Sequence, residues 1–223
     1  MNIKHLLSTF TMCFTLVFSS IAMSNEPFDE QFLALQHQWA KVNYTLTKND
    51  QSEAFKQLIV QAKKLVEQNK ERAEPLVWLG IIQSSYAGAK GAFGALSLAK
   101  EAKKSLERSL EIDPSVLNGS AYTSLGTLFH KVPGWPIGFG DDDDAKVMLE
   151  KAITLNPMGI DPNYFYGEFL YDERYYVQAK EHLLLALHAP TREERPLADE
   201  SRRAEIQQLM AKVDKKLKRK KKN

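Results

Sequence analysis

Five histidines, one cysteine, a run of four aspartates and a glycine triplet are the residues of this chain that could do chemistry. Beyond residue 24 the histidines are His37, His130, His182 and His188, and no pair has the spacing of a helical zinc site. Asp141 to Asp144 are four adjacent carboxylates. A calcium loop instead spreads its oxygen ligands around a glycine turn and ends on a bidentate acid. Four aspartates directly before Ala145 fit a helix N-terminus, where they cap free N–H groups and complement the dipole. Gly88, Gly91 and Gly94 match neither a dinucleotide fingerprint nor a phosphate loop, and no Lys-Ser/Thr follows them. Small residues at every third position suit the close packing of a short helix or turn. No serine stands in a nucleophile elbow. The sequence therefore presents no catalytic set, no metal site and no cofactor motif, and the expected work is binding rather than catalysis.

The sharpest local feature is Lys131-Val132-Pro133-Gly134-Trp135-Pro136-Ile137-Gly138-Phe139-Gly140-Asp141. Two prolines fix its backbone and three glycines allow turns that other residues disfavour. Trp135 and Phe139 must either fold back onto the body or line a partner pocket. A closed cavity of several hundred Å³ beside Trp135 would mark a small-ligand carrier, and an open groove would mark a protein adaptor.

The elements that carry these residues repeat. Leu79-Gly80 is followed by Ala102, Leu106, Ser109 and Pro114; Leu125-Gly126 by Ala145, Leu149, Ala152 and Pro157; Tyr166-Gly167 by Ala179, Leu183, Ala186 and Pro190. In each copy the Ala, Leu and small positions step by four and then three, which puts them on one helical face, and the Pro ends that helix. The Gly-to-Ala distance is 22, 19 and 12 residues in the three copies.

These residues resemble the tetratricopeptide-repeat (TPR) family, in which each repeat of about 34 residues is a pair of antiparallel helices. The resemblance covers Ala73 to Pro190 and implies an all-α, TPR-like solenoid of antiparallel helix hairpins. The family spacing is that of the third copy, so the first two copies carry enlarged links between their helices, of about ten and seven residues. Carried over position by position, the family's concave groove falls on Val77, Ile81 and Ser84, on Thr123, Thr127 and His130, and on Tyr164, Glu168 and Tyr171. That surface is aromatic and hydroxyl-rich with no Arg or Lys clamp. It suits a neutral ligand, or a peptide held partly by its backbone. The expected partner-binding residues are thus Ser84, Thr123, Thr127, His130, Trp135, Phe139, Tyr164, Glu168 and Tyr171.

Upstream, Phe28 to Leu46 and Ser52 to Gln68 read as a divergent leading hairpin broken at Asn49-Asp50. Downstream, Leu197 to Leu217 reads as a capping helix with an apolar stripe of Ile206, Leu209, Met210 and Val213. Residues 1–24 read as a secretory signal, with Lys4 and His5 before an apolar stretch and Ala22-Met23-Ser24 before the cut; an uncleaved anchor is the alternative. The organisation expected is 1–24 signal, 25–72 leading hairpin, 73–190 three repeats, 191–217 cap and 218–223 basic tail. Cleavage would remove Cys13, the only cysteine, and with it any disulfide or thiolate chemistry. From Lys212 onward the tail holds eight Lys or Arg and one Asp, leaving the remainder at roughly −5 within a total of +2. The basic balance thus belongs to the tail and does not mark the body as a nucleic-acid binder, and no nucleic-acid partner is expected; the tail could touch anionic lipid head groups or an acidic protein.

A second likeness rests on Gly88 to Leu96 and on Gly138-Phe139-Gly140-Asp141. An exported TPR chain with such links is similar to the TPR component of tripartite ATP-independent periplasmic (TRAP) transporter systems. That implies a periplasmic solute-binding protein as partner. Members of that group are lipid-anchored, and Met12 and Phe14 around Cys13 depart from a lipidation motif. The overall expectation is a periplasmic scaffold or adaptor for a protein or peptide, with a small-ligand carrier or transporter accessory as the alternative.

Overall fold

The structure is a computed structural model and describes residues 26–220. The expected signal segment, with Cys13, lies outside the described residues, as do the last three tail residues. The described residues form nine helices and no strand: α1 Glu26–Thr45, α2 Lys48–Gln68, α3 Glu74–Lys90, α4 Ala92–Ile112, α5 Val116–Lys131, α6 Asp142–Leu155, α7 Ile160–Asp172, α8 Tyr176–Leu187 and α9 Pro196–Lys220. None of the described helices is long and apolar enough to cross a membrane.

The hairpins α3–α4, α5–α6 and α7–α8 make the most extensive helix pairings. Each is held at one repeated contact. A Cβ on Gly80 would fall 2.6 Å from Leu106 Cγ and 3.2 Å from the Ala102 carbonyl oxygen. On Gly126 it would fall 2.6 Å from Leu149 Cγ and 3.0 Å from the Ala145 oxygen; on Gly167, 3.0 Å from Leu183 Cγ and 3.3 Å from the Ala179 oxygen. The glycine of the first helix thus receives the leucine of the second, in register, three times over. Leu106, Leu149 and Leu183 are fully buried there, each worth roughly 2 kcal/mol of transfer free energy. This is the geometry the Gly, Ala and Leu spacings predict.

The two enlarged links differ from one another. Only the second is a loop. At 87–95 the extra residues lengthen helices: α3 runs to Lys90, α4 starts at Ala92, and Gly91 alone joins them with φ +69°. The expected close packing of the glycine triplet is not found, since a Cβ at Gly88 or Gly91 would meet nothing within 4 Å. Gly91 and Gly94 serve instead as the two positive-φ positions at which the chain reverses. The leading hairpin breaks at Leu46-Thr47 rather than at Asn49-Asp50. Asp50 falls in the first turn of α2, where a carboxylate complements the dipole. Gln51 donates to the Val42 and Asn43 carbonyls at 3.1 and 3.2 Å, taking up acceptors at the end of α1.

The last helix does more than cap. Its Ile206, Leu209 and Val213 join the core of α6 to α8, as the stripe predicts. Its first turn reaches the other end of the molecule, where Ala198 packs into the core of Phe28, Leu35, Trp39, Phe55 and Trp78. The link before it also touches α1, with His37 Nε2 2.5 Å from the Glu194 carbonyl. Arg203 donates to the Leu187 and Ala189 carbonyls and so closes the end of α8. The first and last elements of the solenoid therefore meet across its concave side.

Candidate functional site

Where those two ends meet, the concave face encloses a cleft of about 670 Å³. That volume lies within the range of small-molecule and peptide-anchor pockets. Its floor is built from α3, α5 and α7 through Ile81, Ser84, Thr123, Thr127, Tyr164 and Glu168. One wall is α1 with Trp39 and Tyr44. The facing wall is the link 190–195 and α9, with Arg192, Arg195, Arg202 and Glu205. Leu117 and Asn118 line it too, from an opening turn of α5 in which Leu117, Asn118 and Gly119 all have positive φ (48°, 52° and 82°). Such a conformation is unusual for a leucine. It swings the chain into the cleft, and the absence of a side chain at Gly119 is required, because a Cβ there would come within 3.0 Å of Leu155.

The arginine wall is the electrostatic centre of the site. Arg192 donates from Nη1 to Asp161 at 2.7 Å and from Nε to Asp199 at 2.7 Å. Arg202, only 7% exposed, donates from Nε to the other oxygen of Asp161 at 3.0 Å and from Nη1 to Glu205 at 2.6 Å. Its guanidinium lies over both Tyr164 and Phe165, 4.4 and 4.6 Å from their ring centres. Burial works against ionising Asp161, but Arg202 and then Arg192 outweigh it and hold the carboxyl well below the usual carboxylate range. Burial likewise opposes the charge on Arg202, and Tyr44, Asp161 and Glu205 together reverse that, leaving it more firmly protonated than a free arginine. Burial raises the Tyr44 and Tyr164 hydroxyls, so both are neutral donors in the cleft.

Five of the nine sequence-expected residues line this cleft: Ser84, Thr123, Thr127, Tyr164 and Glu168. The other four lie elsewhere. His130 sits where α5 to α7 meet, with Nδ1 2.8 Å from Asp142 and Nε2 2.9 Å from Asp172. Lys131 joins it, 2.9 Å from Asp172 and 3.4 Å from Glu168. His130 is thus held in an interhelical charge network. Tyr171 packs on Tyr176, ring centres 5.7 Å apart. Val77, also placed in the groove by the repeat register, is fully buried in the core. The concave face therefore uses the middle turns of α3, α5 and α7, and its outer turns diverge from the cleft.

The two aromatics of the 132–141 loop part company. Phe139 packs edge-on against Phe129 at 5.9 Å and joins the core between α3 and α5. Trp135 is 90% exposed and does not line the cleft. The loop closes on itself, with Gly140 N donating to Pro133 O at 3.0 Å and Asp141 N to Phe129 O at 2.9 Å. A Cβ on Gly140 would sit 1.7 Å from the Val132 oxygen, so only glycine fits. Asp141 then caps α6, its carboxylate accepting from the Asp143 and Asp144 amides at 3.0 Å. The aspartate run is a helix start, as its position before Ala145 predicts.

The repeat register missed the arginine wall. Contrary to the expectation of a groove without a cationic clamp, three arginines face it. They come from the link and from α9, outside the helices from which the groove was read. The signal available was the run Arg192-Glu193-Glu194-Arg195 between Pro190 and Pro196, too dense in charge for a plain connector.

No protein-family model matches this chain, and no curated protein matches it. Among solved structures, one described as "Functional Characterization of Pseudomonas Aeruginosa pilF" aligns with 86% of this chain and 93% of that one, at 16% identity and a TM-score of 0.34. So loose a likeness carries no argument. The architecture is TPR-like. That rests on the three in-register Gly–Leu–Ala contacts, which make the chain a solenoid of helical hairpins.

Proposed function

We propose that the protein is a binding scaffold that holds a segment of a partner protein in the concave cleft, and that it works in the periplasm after export through residues 1–24. The supporting observation is the cleft itself: hydroxyls, aromatic faces and arginines from five helices and a link converge on about 670 Å³. A hairpin solenoid supplies such a surface without a catalytic centre. The test is a pull-down with Thr127→Ala and Tyr164→Phe combined. Loss of the bound partner supports the cleft, and unchanged capture means that the partner sits elsewhere. Export is tested separately by the intact mass of the protein recovered from the periplasm, expected to begin at Asn25; retention of Met1 to Ser24 would contradict the cleavage.

A small-ligand carrier is the second reading, favoured by one observation. The contact of α9 and its link with α1 turns an open groove into a partly enclosed cleft. Native mass spectrometry of the protein from its own periplasm separates the two, because a carrier retains a bound mass of a few hundred daltons.

A further inference from the structure

Arg195 stands out from the other two arginines of the wall. Among the described residues its guanidinium has no hydrogen-bond acceptor and no ion pair, and its Nε is buried without a partner. The guanidinium carbon lies over the indole of Trp78, 4.9 Å from the ring centre, and the side chain lines the cleft. The acids that could have neutralised it are engaged. Both oxygens of Asp161 receive Arg192 and Arg202, both oxygens of Asp199 receive Arg192, and Glu205 receives Arg202. Glu168, on the floor, leans to Lys131.

We propose that Arg195, held beside Trp78 at the α1 end of the cleft, is the recognition group for a carboxylate of the bound segment. The inference rests on the cleft being the binding site. A guanidinium offers donors in one plane, matching the two oxygens of a carboxylate. Its contact with the Trp78 ring restrains the side chain, so less freedom remains to be lost when the anion arrives. Burial, and then the neighbouring Arg192, depress the Arg195 pKa to about 10; the group is still cationic at neutral pH, and an incoming anion relieves both effects. A carboxylate fits better than a phosphate dianion because only one of the three arginines is uncommitted. Ile81 and Phe165, partly exposed in the same cleft, would take the apolar part of the same segment.

The experiment uses the exported protein with a panel of N-acetylated tripeptides whose last residue runs through the twenty amino acids. Each is supplied as the free acid and as the amide, and binding is followed by protein NMR with the Arg195 Nε–H resonance as reporter. The expected result is that acids shift Arg195, Ser84 and Thr123 and bind about tenfold tighter than their amides. Arg195→Gln abolishes that preference, and Arg195→Lys, which keeps the charge without the planar donors, restores part of it. Amides ending in Asp or Glu separate a side-chain carboxylate from a chain terminus, and binding by either class supports the proposal. Equal binding of acids and amides in the cleft, or displacement of the acids by an equal concentration of inorganic phosphate, overturns the carboxylate assignment and leaves the cleft reading standing. If no peptide shifts any cleft resonance, the cleft reading itself fails and this inference falls with it. Arg195→Gln removes no ion pair but gives up the contact with Trp78, so its unfolding midpoint should fall only slightly; the lysine variant keeps the test intact if it falls further.

Discussion

The cleft gathers its polar groups from α1, α3, α5, α7 and α9, whereas the 132–141 loop is one continuous stretch that holds its own shape. The cleft exists only while both ends of the solenoid touch; the loop rests on its own α5–α6 hairpin and on the adjacent α3–α4 hairpin, where Phe139 meets the core. In the cleft, charges are buried and mostly paired, and aromatic faces are covered by arginines. On the loop, Trp135 and Ile137 stand in solvent, 90% and 67% exposed. The difference teaches that an unusual sequence segment and a built binding site need not coincide. The loop drew attention because its prolines and glycines are adjacent, while the cleft is assembled from residues as far apart in the chain as Gln36 and Glu205.

The comparison breaks first at Arg202. Arg202→Met leaves Asp161 with one partner fewer and Glu205 with none. It should destabilise the fold by about 3 kcal/mol, the low end for a broken buried pair because both acids keep some solvent. Urea unfolding measures this. The same network should show in the acid limb of stability. The folded pKa of Asp161 is depressed, so its contribution is complete above the unfolded value near 3.8 and is lost as pH falls below it. Asp161→Asn should flatten that limb in unfolding curves taken from pH 5 downward. Within the loop the contrast is between its two aromatics. Phe139→Ala should cost about 2 kcal/mol, less than a fully buried phenylalanine because the ring is only half-buried. Asp141→Ala, which removes the α6 cap, should cost about 1 kcal/mol. Trp135→Ala should stay within about 0.5 kcal/mol of the parent. A large loss at Trp135, or a negligible one at Arg202, would reverse the roles assigned to the two regions.

These differences also mark what could be read from residue order. Gly80, Gly126 and Gly167 are legible because a periodic fold repeats its tightest contact at a fixed register, and spacing alone exposes it. Thr127 and Tyr164 follow from that register, since they share faces of helices already placed. Arg195 does not, because it lies in a link with no repeat position, and its place opposite Trp78 depends on α9 returning across the concave face. Trp135 and Phe139 could not be told apart either. Composition shows that the loop is stiff, but only the packing of Phe129 decides which ring turns inward. The extra residues at 87–95 lengthen helices because nothing before Gly91 stops α3, whereas Pro133 and Pro136 forbid the same solution at 132–141.

Position-specific crosslinking tests the central claim most directly. A photoreactive phenylalanine analogue placed at Ser84, on the cleft floor, and in a separate variant at Trp135, on the exposed loop, is activated in intact cells. The account predicts a discrete protein adduct from position 84 that disappears when Thr127 and Tyr164 are also replaced, and none of comparable yield from position 135. A partner captured from position 135 alone would contradict it.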